Sequence, residues 1–337
     1  MRKEASLELW RELYDLAVEI KKLEPWKDFW SMDIIEIQLP GYQEPVYCSV
    51  MGKGGECYGI GLYEGADGLA DFNMIATADE FMVPIEYVMG DQSNLSCYFG
   101  DREEVPPEQK TVIKELGLKF RGRGQWIYFE SFKKRYLSYI PDEREVKVLL
   151  DTYRVLPTAI KAVRDHTVEI DWDNNEILSC RFDEDKKIWN MSGIPHPDCF
   201  RQYPSIQLTD DILRQKLKKM KKNKLEIALD LSYMHCGVTD EKYERPINPL
   251  LLLAVDVQAD MIIDMHIMDI DENEVDAVLN FFIPFVMEYG RMKTVYARNP
   301  WIFAALSDIC EFCGINLVGD ELEGVDEVLE DVMSMMR

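Results

Sequence analysis

The chain has 337 residues, 38 of them basic and 62 acidic, for a net charge of −24. Proteins that grip a phosphate backbone or an anionic membrane do so through clustered Lys and Arg, so this balance argues against both and leaves a protein or a small molecule as the expected partner. A content of 47% apolar and 11% aromatic residues is enough for packed cores, and the length suits two domains.

Residues 4–23 place Leu9, Leu13, Leu16, Ala17 and Ile20 at a 3.6-residue period, with Trp10 at the edge of the stripe. This predicts an amphipathic helix and not a secretory signal, and the longest apolar run, PLLLLAV, is too short to cross a bilayer, so the expected location is the cytoplasm. Three short strands follow at 33–39, 45–52 and 57–65, with turns at 41–43 and 52–55. The glycine-rich segment 52–65 does not meet the demands of a phosphate cradle. Its glycines lie between and inside strands, no Lys-Ser or Lys-Thr follows, and Glu64 stands where G-x-G-x-x-G needs its third glycine. It reads as hairpin turns and a closely packed strand. Gly65 and Gly68 flank a candidate helix start.

A strand at 94–100, a helix at 106–117 between Pro106-Pro107 and Gly117, and a strand from Trp126 to Phe132 come next. Between the last two, FRGRGQW (120–126) sets Arg121 and Arg123 beside Trp126. These residue types stack on nucleobases and meet phosphates, and they equally well anchor a loop to its own protein. Arg121, Arg123 and Trp126 are the candidate ligand-binding residues of the first half. A long helix at 141–166 follows, which Pro157 is expected to kink or split. Residues 167–197 read as a separate small antiparallel meander, and 194–205, with three prolines in twelve residues, as a linker. The predicted organisation is an α+β domain at 1–166, the meander and linker at 167–205, and an α/β domain at 206–337.

The second half predicts a basic helix (209–224), strands at 224–235, 249–257 and 261–269, a helix at 272–290, a strand at 293–299, a helix at 300–314, a strand at 315–320 and a closing helix at 324–336. The Lys216–Lys224 run surrounds an apolar stripe of Leu213, Leu217 and Met220, which suits an ordinary amphipathic helix with a solvated basic face. The order βββαβαβα gives a mixed sheet covered by helices, so the chain as a whole is of the α/β class.

Over about residues 224–336 this order resembles the ribonuclease H-like fold of ribonuclease H, integrases and transposases. The resemblance implies one carboxylate in mid first strand and a second from the first helix or the end of the fourth strand, with others added by class, together holding two Mg or Mn ions about 4 Å apart for phosphodiester cleavage. Asp230, in EIALDLSY, occupies the first place. In VYARNPW the second place holds Arg298 and Asn299; Arg repels a metal ion and Asn is a poor anchor. Glu272, Glu274, Asp276 and Glu288 sit only at the ends of the first helix, and Asp326, Glu327, Glu330 and Asp331 read as a solvated face of the last. Asp230 is therefore the catalytic candidate, with Mg or Mn as cofactor only if the protein is a nuclease. The favoured expectation is a degenerate domain kept as a non-enzymatic binding or interaction module, with no cofactor. Asp256, in LLLLAVDVQADM, reads as a turn residue and not as a metal ligand, in a hairpin taken as central to the sheet.

The whole chain also resembles a family of uncharacterised bacterial proteins, often from Firmicutes. The resemblance is carried by WRELYDLA with PWKDFW, YCSVMGKGGECYGIGLYEG, LGLKFRGRGQWIYFES, LEIALDLSYM, RPINPLLLLAVDVQADMII and CGINLVGDELEGVDEVLEDVM. It implies an organisation and not a reaction.

The eight cysteines are scattered, which suits reduced and largely buried thiols. Cys310 and Cys313 form a C-x-x-C without the second pair that a zinc site needs. They end a helix, away from the N-terminus that would lower a thiol pKa, so a core role is expected for them.

Overall fold

The computed structural model describes residues 2–79 and 83–336, which divide into two compact units. One comprises Met1–Asn73, Gln92–Lys134 and Ser138–Phe200, the other Met74–Asp91, Arg135–Leu137 and Arg201–Arg337.

In the first unit, Ser6 caps α1 (Leu7–Leu23) by accepting from the Leu9 N–H, and Trp10, Leu13, Tyr14, Ala17 and Ile20 form its buried stripe. β1 (Ile35–Gln38), β2 (Val46–Met51) and β3 (Gly59–Glu64) are the expected first strands. A Cβ on Gly59 would lie 2.8 Å from the Cys97 carbonyl oxygen, so only glycine lets β3 pack at this spacing. α2 (Gly65–Thr77) follows, its last residues already part of the second unit, to which α3 (Ile85–Gly90) belongs. Then come β4 (Asn94–Gly100), α4 (Pro107–Glu115), β5 (Trp126–Phe132) and α5 (Glu143–Arg164). An Asp142–Glu145 capping box opens α5. The helix continues through Pro157 and is not split there. It buries ten side chains from Val146 to Ile160, and that packing outweighs the roughly 3 kcal/mol a helical proline costs.

β6 (Glu176–Asp183) and β7 (Ile188–Pro195) form a hairpin where a small meander is expected, since 168–172 is not a strand, and the hairpin does not stand apart. β6 pairs in parallel with β1, Ile35 opposite Leu178, and completes a seven-stranded sheet of order β5-β4-β3-β2-β1-β6-β7. The open edge of β1 and the buried Leu178 and Cys180 provide the reason: the hairpin finds in the sheet the apolar cover it cannot make alone.

In the second unit, α6 (Asp211–Lys219) precedes β8 (Glu226–Tyr233), β9 (Leu250–Asp256), β10 (Met261–Ile267), α7 (Glu274–Tyr289), β11 (Thr294–Ala297), α8 (Pro300–Cys313), β12 (Asn316–Gly319) and α9 (Glu323–Met336). The predicted βββαβαβα order is present, in a mixed sheet of order β10-β9-β8-β11-β12. β9 is antiparallel to both β8 and β10; β11 runs parallel to β8, and β12 parallel to β11, after helical crossovers. Ile227, Leu229 and Leu231 pack on one face with Phe282 and Ile309, while Ala228, Leu251 and Leu253 pack on the other with Leu322, Val325 and Leu329 of the α9 region. Both faces of β9 are covered, which explains its unbroken apolar run. β10 is an edge strand with Met261, Ile262, Met265 and Ile267 exposed, so the hairpin expected to be central has only one inner strand.

Candidate functional site

Alternation along β8 puts Ala228, Asp230 and Ser232 on the face that α9 covers. The parallel register of β8 and β11 sets Ala228 opposite Tyr296. Two residues further along come Asp230 in β8 and Arg298 just past the end of β11, so the parallel register sets the acid and the guanidinium close together.

Asp230 is 1% exposed and Arg298 6%. Arg298 donates from Nη2 (2.7 Å) and Nε (3.1 Å) to Asp230 Oδ2, which also accepts from Ser232 Oγ at 2.6 Å. The same guanidinium donates from Nη1 to Asp326 Oδ2 (3.0 Å) and to the Glu321 carbonyl (2.8 Å), with a further Nη2 contact to Asp326 Oδ1. Burial pushes the Asp230 carboxyl above the usual carboxylate range, against the pull of Arg298 and Ser232. For Arg298 burial acts to lower the pKa, but Asp326 and Asp230 outweigh it and hold the guanidinium charged. A cavity of about 300 Å³ adjoins this cluster, lined by Tyr87, Ser232, Tyr233, His235, Arg298 and Asp326 among others.

These residues do not fit a divalent metal. Asp230 Oδ1 accepts no hydrogen bond among the described residues, which a metal would exploit, yet the cation facing Asp230 and Asp326 is already the Arg298 side chain. Among the described residues no group of three or more His, Cys, Asp or Glu side chains is placed to hold a metal ion. The chemistry available here is that of a desolvated ion cluster tying β8, β11 and α9 together. Asp326 had read as one acid of a solvated face. The signal that could have found it is Arg298 itself, because a buried guanidinium demands several acceptors.

Asp256 ends β9, where its Oδ1 accepts from the N–H groups of Gln258 (2.9 Å) and Ala259 (3.1 Å) in the turn to β10. Arg121 and Arg123 are exposed on the turn before β5, with no hydrogen-bond or ion-pair partner among the described residues. Trp126 begins β5, half-buried against Phe120 at 5.9 Å between centroids, with the Arg102 guanidinium also 5.9 Å from its ring. The structure thus brings Trp126 into packing contact and leaves the two arginines in water. The basic α6 docks through Arg214, which pairs with Asp308 and lies 4.2 Å from the Phe312 ring, as Lys218 does at 4.4 Å. All eight cysteines are unpaired; Cys310 and Cys313 are buried at the end of α8, before the left-handed Gly314.

No helix among the described residues is long and apolar enough to cross a membrane. No curated protein matches the chain. Residues 213–333 are similar to a second domain of unknown function, DUF6930, which spans the sheet that carries Asp230 and Arg298. Residues 10–180 match the domain of unknown function DUF7309, about half of the chain and most of the seven-stranded sheet, and the chain belongs to that family.

Proposed function

We propose that this is a binding protein of the bacterial cytosol whose second unit is a degenerate ribonuclease H-like domain. The strand order and the βββαβαβα succession support the fold reading. Eight unpaired cysteines support a reducing compartment. The observation that carries the functional reading is Arg298. It stands where the superfamily needs its second carboxylate, and its guanidinium takes the position between Asp230 and Asp326 that a metal ion would need. A nuclease in this superfamily draws its rate from two metals stabilising the attacking and leaving oxygens, and this cluster offers them no shared ligands. The domain retains the scaffold and uses the polar centre for cohesion.

The test is thermal unfolding of the full chain in magnesium and in manganese. Wild type shows no stabilisation by either ion, whereas a site filled at ten times its Kd would add about 1.4 kcal/mol. Arg298→Asp, which places three carboxylates together, should gain a metal-dependent rise in Tm. Metal-dependent stabilisation of the wild type, or manganese-dependent cleavage of an oligonucleotide that Asp230→Asn abolishes, would overturn the proposal in favour of a nuclease.

A further inference from the structure

The first unit has a groove of about 790 Å³ between the end of α1 and the wall formed by β4, β5 and the segment before β5. That volume lies in the range of small-molecule sites. Its floor is aromatic: Trp26 meets Tyr58 edge-on at 4.9 Å between centroids and Phe99 at 5.5 Å. Trp26, Tyr58 and Phe120 are half-buried and keep part of their rings open to the groove. The rim is basic, with Lys21, Lys22 and Lys119. The segment that contributes Phe120, Gly124 and Gln125 to the wall also carries Arg121 and Arg123, so KFRGR (119–123) holds three cations and no acid in a chain of net charge −24.

These cations differ in what they do. Lys21 donates to the Gly124 carbonyl and, at 3.1 Å, to Gln125 Oε1, so it holds the wall in place. Lys22, Lys119, Arg121 and Arg123 have no hydrogen-bond or ion-pair partner among the described residues. Glu24, the acid on the lining, is engaged by Lys27 at 2.5 Å. In a protein with 62 acids, two lining cations left without partners beside open aromatic rings, Lys22 and Lys119, with Arg121 and Arg123 on the turn that continues the wall, form a site for an anion with a flat apolar part.

We propose that this groove binds a small planar aromatic anion of the mononucleotide class, its ring laid against Trp26 and Tyr58 and its phosphate met by Lys22, Lys119 and the Arg121–Arg123 turn. A single nucleotide fits both the volume and the overall charge, because a longer polyanion would meet the rest of an acidic surface. The inference rests on the reading of this chain as a binding protein and gives that reading a ligand class.

Calorimetric titration of the full chain with AMP, GMP, CMP and UMP, and separately with adenosine, inorganic phosphate and a deoxythymidine decamer, tests it. At least one mononucleotide should bind with a Kd below about 1 mM, and at least tenfold more tightly than adenosine or phosphate. The double change Lys22→Glu with Lys119→Glu should weaken it at least tenfold, with the far-ultraviolet spectrum and Tm unchanged. Trp26→Leu should weaken it too; if that variant misfolds, Tyr58→Leu replaces it. The inference fails if no mononucleotide binds, if phosphate alone binds as well, if charge reversal has no effect, or if the decamer binds more tightly than any mononucleotide. Such a failure leaves the metal titration of Arg298 and Asp230 to decide the binding-protein reading independently.

Discussion

The second unit buries one guanidinium, Arg298, among Asp230, Asp326 and a carbonyl, whereas the first leaves Lys22, Lys119, Arg121 and Arg123 in water without partners among the described residues. Acids outnumber bases in this chain, so a cation acquires a partner wherever packing allows it. Where the partners are present and the charge is desolvated, the cluster belongs to the structure. Where they are absent and two of the charges, Lys22 and Lys119, line an aromatic groove, the charge is available to something else. Stability and binding should therefore respond in opposite ways to changes in the two regions.

The largest effect is expected at Arg298. Arg298→Ala leaves Asp230 buried and uncompensated, and should lower the unfolding free energy by about 3–5 kcal/mol in urea denaturation. Asp230→Leu combined with Arg298→Met should recover most of that loss, because an apolar pair avoids the desolvation that the ion pair must offset. A single-variant loss below about 1 kcal/mol would mean that water reaches the cluster and would erase the contrast. Asp326→Ala should cost less, about 1 kcal/mol, because its side chain is 52% exposed and Asp230 still pairs with the guanidinium.

How much of this was legible depends on the range over which each feature is decided. The strands at 33–39, 94–100 and 224–235 are written in local alternation, and the stop at Gly314 in a single residue, so their places were readable. α2 was legible only at its start, marked by Gly65 and Gly68, and α3 not at all, because the apolar residues of the segment show no clean period. The β6–β7 hairpin was legible as a hairpin, but its partner β1 lies some 140 residues upstream, where no local pattern points. The same limit explains the ion cluster. Asp230 and Arg298 were each visible as an anomaly, yet their contact follows from a parallel register, and the inward turn of Asp326 follows from where α9 packs. The groove was half visible, since FRGRGQW stood out while Trp26 and Tyr58 had no reason to be read together with it.

A third paired charge sharpens the comparison through pH. Glu226 at the start of β8 bonds to Lys293 beside β11, and this holds the carboxyl below its ordinary value of 4.5. A depressed carboxylate pKa contributes stability that is present above the unfolded-state value and lost as pH falls through the folded one. Wild type should therefore exceed Glu226→Gln in stability at pH 7, and the two urea curves should converge below the ordinary carboxylate range. A difference that persisted at pH 3 would show that Glu226 acts by packing and not by charge.

The smallest expected effect, near zero, falls on the cations of the groove. Lys22→Glu with Lys119→Glu removes no hydrogen bond and no ion pair among the described residues, so the unfolding free energy should stay within about 0.5 kcal/mol of wild type. A loss of about 2 kcal/mol or more would show that these lysines are structural, like Arg298, and would remove the ground for reading the groove as a binding site. If instead stability holds while nucleotide affinity falls, the first unit keeps for a ligand the charge that the second unit spends on its own core.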